Sequence, residues 1–102
     1  MENIQFKTLG KGLSAFVIQE GEEKIGEMVV GLSDQYLTAY HTEVVPQKEG
    51  KGLAGQLLAA MVDYARQHQL KVIPLCPYVN AQFRRHPDLY EDIWEKERSE
   101  PD

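Results

Sequence analysis

The hydrophobic pattern of this chain changes period once, at Pro46, and that change limits what it can fold into more than any other feature. Before it stand three β-compatible runs, Leu13–Gln19, Lys24–Leu32 and Tyr36–Val45. They are rich in β-branched and aromatic residues and are separated by short turns at Gly21 and at Ser33-Asp34-Gln35. Runs joined so closely predict an antiparallel meander, with only a few residues ahead of its first strand. After Pro46, Leu53, Leu57, Ala60, Met61, Tyr64 and Ala65 recur at three- and four-residue intervals. That period predicts an amphipathic helix to about Gln67, with Gln56, Asp63, Arg66 and Gln67 towards water. Lys71–Leu75 is short and largely apolar and suits a buried strand. Its Pro74 has no N–H for a ladder, which places that peptide at an edge or a distortion. Strand, helix and strand make a βαβ unit. The expected fold is α+β, a mixed, mostly antiparallel twisted sheet carrying one βαβ unit.

Beyond Cys76-Pro77, Tyr78–Arg85 reads as a short helix, His86-Pro87 as its end, and Asp88–Trp94 as another helical turn or two. Residues 1–94 then make one domain, and 95–102 (EKERSEPD) a charged tail of disordered composition. Eleven basic against sixteen acidic residues give a formal net charge of −5. So acidic a chain is a poor binder of nucleic acid, which needs a basic footprint. The single cysteine excludes an internal disulfide framework and a multi-thiolate zinc site. His41, His68 and His86 lack ligand spacing, so no metal is expected. There is no run of about 18 apolar residues to span a membrane, and the opening MENIQFKTLGKG lacks the apolar centre of a secretory signal. The expected setting is reduced and cytoplasmic.

The chemistry concentrates between Gln47 and Ala54. Gly50 and Gly52 stand where a strand ends and a helix begins, so free N–H groups and the positive end of the helix dipole meet at the loop. Lys48 and Lys51 add positive charge, and Glu49 opposes it. A diphosphate cradle is the functional reading, and a plain helix-entry turn is the alternative that spacing alone leaves open. Neither the full GxxxxGK[ST] pattern nor a dinucleotide fingerprint is present.

Gln47-x-x-Gly50-x-Gly52, following Glu43-Val44-Val45 and preceding an amphipathic helix, resembles the acetyl-CoA loop of the GNAT-superfamily N-acetyltransferases. Three further stretches resemble the short Yjdj-type members of that superfamily, over about residues 13–94. They are His41-Thr42-Glu43-Val44, Gly50-Lys51-Gly52-Leu53-Ala54, and Cys76-Pro77-Tyr78-Val79 followed by His86-Pro87 and Tyr90. The resemblance implies two parallel strands, Tyr36–Val45 and Lys71–Leu75, that splay to admit the pantetheine arm of acetyl-CoA. It implies a pyrophosphate held by the loop of Gln47, Lys48, Glu49, Gly50, Lys51, Gly52, Leu53 and Ala54. Val44 and Val45 would pair with the pantetheine amides, and Asn80, Phe83 and Arg84 would lie along the cofactor's other side. The implied activity is acetyl transfer to a primary amine on a small molecule or a protein, by a monomer or weak homodimer. An acetyl-CoA-binding sensor with little turnover is the alternative, and an interaction module with a degenerate loop is the third reading.

Cys76 falls at the carboxyl end of its strand, where open α/β sheets bind ligands. The resemblance marks it as a functional residue. It leaves open whether the thiol carries the acetyl group, protonates the departing thiolate or simply packs. His41 is a candidate base. It lies four residues before Val45, roughly 13 Å back at about 3.3 Å per residue, so pairing with Cys76 requires an offset register. A histidine bonded within the sheet is the plainer reading. Tyr78 and Tyr90 are candidate walls of an acyl pocket. Tyr36 and Tyr40 are expected to share a strand face with Thr38 and Thr42, and Trp94 to anchor the last turn.

Overall fold

A computed structural model describes residues 3–96 of the chain. In order, these residues form strands β1 (Asn3–Gly10), β2 (Leu13–Glu20), β3 (Glu23–Leu32) and β4 (Tyr36–Val44), then a 3₁₀ turn (Pro46–Lys48). Helix α1 (Leu53–Gln67), strand β5 (Lys71–Pro74) and helices α2 (Pro77–Arg85) and α3 (Pro87–Tyr90) follow. The sheet order is β1-β2-β3-β4-β5. The first four strands are antiparallel, and β5 runs parallel to β4 after the crossover through α1. Pro74 thus lies on an end strand, where its missing N–H costs no central rung.

The strand Asn3–Gly10 is an addition to the meander read from the sequence, which began at Leu13. Most of β1 is exposed, so it lacks the apolar alternation that announces a strand. It is held by pairing with β2 and by Phe6, whose ring stacks on Tyr64 at 4.8 Å and meets Phe16 edge-on at 5.1 Å. Each such aromatic pair contributes about 0.5–1.5 kcal/mol beyond its burial.

Helix α1 has the bounds its period predicts and buries more than the predicted stripe. Leu53, Leu57, Met61 and Ala65 enter the core, and so do Leu58 and Val62. The last two line a recess shared with Leu89 and Tyr90, so the helices after β5 cover a second flank of α1. Gln56, expected to face water, is half-buried, and its side-chain oxygen is buried without a partner among the described residues. Helix α3 stops at Tyr90, short of the helical turns expected to Trp94. Val72 N–H donates to Ile93 O and accepts from Glu95 N–H through its own carbonyl, so the chain covers the free edge of β5. Lys96 lies over the Trp94 ring at 5.1 Å. The expected tail boundary at 95 therefore moves outward, and residues 97–102 lie outside the described residues.

Arg66 ties these segments together. It donates to both Asp92 oxygens, at 3.0 and 3.1 Å, and to the Leu89 carbonyl at 2.6 Å. That hydrogen bonding holds the Asp92 carboxyl below the ordinary carboxylate range. A carboxyl held low in the folded state adds stability that is present above its unfolded value, about 3.9. The contribution is lost as pH falls through the lowered value. Asp92→Asn should therefore lower the urea midpoint at neutral pH and cost nothing in strong acid. Arg66 and Asp92 are 44% and 58% exposed, so the neutral-pH loss should stay below about 1 kcal/mol.

Candidate functional site

The loop entering α1 is built around two left-handed residues. Gly50 has φ +83° and Gly52, the N-cap of α1, has φ +80°. A β-carbon at either would meet nothing within 4 Å, so backbone conformation rather than space requires glycine there. Among the described residues, the N–H groups of Gly50, Lys51, Gly52, Leu53, Ala54 and Gly55 have no internal acceptor, and the first helical bond runs from Gln56 to Gly52. Backbone donors are rarely left unpaired away from water. Six in succession stand at the positive end of a fifteen-residue helix, an arrangement of donors and dipole that suits an anion.

The remaining predicted loop residues divide. The N–H groups of Lys48 and Glu49 are used within the turn, on Val45 O and Pro46 O. The Lys48 ammonium grips the Glu20 carboxylate at 2.9 Å, so Lys51 supplies the loop's uncommitted positive charge. Gln47 is exposed. Gly55 extends the run of free donors by one residue beyond the predicted Ala54. A glycine in a helix's first turn was the available signal.

Beside the loop the sheet opens. β5 pairs with β4 only from Tyr36↔Lys71 to Ala39↔Pro74, and a last bond joins Cys76 N–H to Ala39 O at 2.7 Å. The chain then leaves as α2, while β4 continues to Val44. Val45 N–H donates to Ile25 O on β3, and Val45 O accepts from Lys48 N–H, so the backbone of Val45 is committed. Strand alternation turns the backbone groups of Thr42 and Val44 the other way, towards the gap that β5 has vacated. Of the two valines assigned to a pantetheine arm, Val44 has its backbone free for it.

A β-bulge determines which side chains face this gap. Val29 pairs with His41 and Val30 with Ala39, leaving Tyr40 as the extra residue. The bulge reverses the side-chain alternation. Thr42 thus joins the face of Leu37 and Ala39, not that of Tyr40 as the unbroken period predicted. On this face Thr42 Oγ1 lies 3.2 Å from Cys76 Sγ. Cys76 is 2% exposed, and Thr42 is the one side-chain hydrogen-bond partner of its sulfur among the described residues. His41 points to the opposite face, where Nε2 lies 3.0 Å from Glu43 Oε1. His41 and Cys76 thus lie on opposite faces of β4, and the offset register that their pairing requires is not found.

The residues after Cys76 also sort differently from expectation. Phe83 is fully buried, stacked on Tyr90 at 4.6 Å and edge-on to Trp94 at 5.8 Å, and presents no surface to a cofactor. Asn80 donates to Pro74 O and accepts from Arg84 Nε, fastening α2 to the end of β5. Arg84 lies over the Trp94 ring at 5.8 Å. Tyr78 reaches back to α1, its hydroxyl 3.9 Å from where a β-carbon on Gly55 would stand. Burial, with Tyr90 and Cys76 beside it, pushes its phenol above the ordinary value, so it stays protonated at neutral pH. Among the described residues, no group of three or more His, Cys, Asp or Glu is arranged to hold a metal, and no helix is long and apolar enough to cross a membrane.

Comparison with known proteins places this arrangement in context. Residues 15–93 match the family described as GCN5-related N-acetyl-transferase. A GCN5-like protein from Staphylococcus aureus, assigned to the N-acetyltransferases, superposes with a TM-score of 0.65 at 26% identity. That match covers 92% of this chain and 90% of the other. Ribosomal-protein-alanine N-acetyltransferase from Brucella melitensis biovar Abortus 2308 shares the fold at a TM-score of 0.61 and 20% identity, over 84% of this chain and 64% of that one. The aminoglycoside N-acetyltransferase AAC(6')-Iy, in complex with CoA, shares it at 0.53 and 17%, over 79% and 60%. This chain thus spans less than two thirds of the length of the last two.

Proposed function

The chain belongs to the GCN5-related N-acetyltransferase family, a family of acyltransferases, and on that premise we propose that it moves the acetyl group of acetyl-CoA to a primary amine. The observation that carries the reading is the run of six free backbone N–H groups from Gly50 to Gly55. They suit the pyrophosphate of CoA, with Lys51 adding charge at the same end of α1. The gap beside Thr42 and Val44 gives the pantetheine arm an unpaired strand edge to follow. The fold shared with AAC(6')-Iy in its CoA complex supports CoA as the carrier.

Acetyl transfer needs donors for the charge that develops on the thioester oxygen, and a proton for the departing sulfur. The free N–H groups of Thr42 and Val44 supply the donors. Cys76 supplies the proton. Apart from Thr42, no side chain bonds its sulfur among the described residues, so no base is in place to make it a nucleophile, whereas its S–H can donate. Cys76→Ala should then lower kcat roughly a hundredfold, the usual scale of general acid catalysis. Cys76→Ser, which keeps a donor but forms no thioester, should recover much of it. An acetyl group found on Cys76 by intact-mass measurement would contradict this role. The single buried thiol suits a reducing compartment such as the cytoplasm.

The direct test is release of CoA thiol from acetyl-CoA across a panel of primary amines. Amine-dependent release that disappears in Gly52→Glu supports the proposal. Tight binding with only background hydrolysis would favour a sensor that binds acetyl-CoA without turning it over.

A further inference from the structure

We propose that Glu20, the last residue of β2, is a positioning residue for the acetyl-CoA loop, which it holds through Lys48; this rests on the acetyl-CoA reading above and adds an anchor to it. The turn Pro46–Lys48 buries no residue, so packing does not fix where the loop stands. Backbone bonds fasten only its two ends. Before the turn, Val45 N–H donates to Ile25 O at 3.0 Å, and after it Gln56 N–H donates to Gly52 O at 3.1 Å, which opens α1. The bonds between those points, Lys48 N–H to Val45 O and Glu49 N–H to Pro46 O, stay within the turn. Among the described residues, Pro46, Gln47, Glu49, Gly50, Lys51 and Gly52 make no hydrogen bond or ion pair to the sheet. Lys48 does. Its ammonium donates to both Glu20 oxygens, at 2.9 and 3.2 Å.

Glu20 is built to serve as the fixed end of this tether. β2 is buried from Ser14 to Ile18 and is paired with β1 on one side and β3 on the other. At its end Glu20 stands directly across from Glu23, a like-charged pair that is unfavourable in a hairpin and that the Lys48 ammonium offsets. The same contact keeps the Lys48 charge off the phosphate. It also fixes the start of the donor run, two residues on at Gly50, relative to the strand edge at Thr42 and Val44. The pyrophosphate and the pantetheine amides belong to one ligand, so the loop and the edge must stand at one spacing for both to be bound. A loop without the tether has to be ordered when the ligand arrives, and that ordering subtracts from affinity. Nothing in the tether touches the reacting atoms, so its loss acts on binding and not on the chemical step.

The test titrates the whole protein with acetyl-CoA in a calorimeter and follows CoA thiol release with an amine that turns over. The Lys48 and Glu20 side chains are 29% and 50% exposed. Glu20→Gln should therefore weaken acetyl-CoA binding by roughly two- to fivefold, the scale of a partly exposed ion pair. KM for acetyl-CoA should rise by the same factor with kcat unchanged, and the difference from wild type should narrow as salt is added. Glu20→Lys combined with Lys48→Glu, which reverses the pair, should recover most of the affinity. That recovery cannot come from a lysine at position 48 reaching the phosphate. Tighter binding in Glu20→Gln would mean that Lys48 is a phosphate ligand held in reserve, and would overturn the tether. Wild-type affinity in Glu20→Gln at low salt, or a reversed pair no better than Glu20→Gln, would overturn it as well. Wild-type protein that binds no acetyl-CoA overturns the acetyl-CoA reading and the tether with it.

Discussion

Gly52→Glu should abolish acetyl-CoA binding, lowering affinity at least a hundredfold, or about 3 kcal/mol. Two effects add at this position. Gly52 holds φ +80°, and an L-residue there costs roughly 1–2 kcal/mol of strain. The strain acts through the loop and not through a clash, because a β-carbon would meet nothing within 4 Å. The carboxylate then places a negative charge among the six free N–H groups that are to hold a phosphate. Gly52→Ala carries the strain without the charge and should fall between wild type and Gly52→Glu. Against a micromolar wild-type affinity, worth about −8 kcal/mol, both variants are measurable by calorimetry. Equal affinity in all three proteins would mean that the loop does not hold the cofactor.

Phe83→Ala should produce the largest loss of stability. The side chain is fully buried against Tyr90 and Trp94, and truncating a buried phenylalanine costs about 3–5 kcal/mol. In a domain of this size, each kcal/mol lowers the melting temperature by roughly 4–8 °C, so the fall should exceed about 12 °C. Acetyl-CoA affinity, measured at a temperature where the variant is folded, should stay close to wild type. The reverse pattern, unchanged melting with weakened binding, would restore Phe83 to the cofactor wall that the sequence suggested.

Those two positions also show which features are legible in a sequence like this one. The bounds of α1 could be read because it buries a stripe that leaves its period in the residue order. β2, buried on both faces from Ser14 to Ile18, and its neighbours could be read instead as β-branched and aromatic runs between turn residues. β1 left no such trace. It lies on an edge, most of it is exposed, and pairing with β2 and the ring of Phe6 hold it. The loop entering α1 was legible because left-handed backbone at Gly50 and Gly52 calls for glycine. Phe83 was misplaced because a helix beside a cofactor also has an inner side, and periodicity does not say which side a phenylalanine takes. The bulge was the feature with most consequence. Tyr40 carries no glycine or proline signal, and two residues oppose one only because of the register with β3. That single extra residue puts Thr42, and not His41, on the face of Leu37, Ala39 and Cys76.

Titration of isotopically labelled protein with acetyl-CoA, followed on the backbone amides, tests the proposed site most directly. The largest shifts should fall on residues 50–55, with further shifts at Thr42 and Val44, whose N–H groups face the gap. The hairpin of β1 and β2 should stay still. Shifts concentrated around Arg66 and Asp92, or none at concentrations well above micromolar, would contradict a CoA cradle at the start of α1.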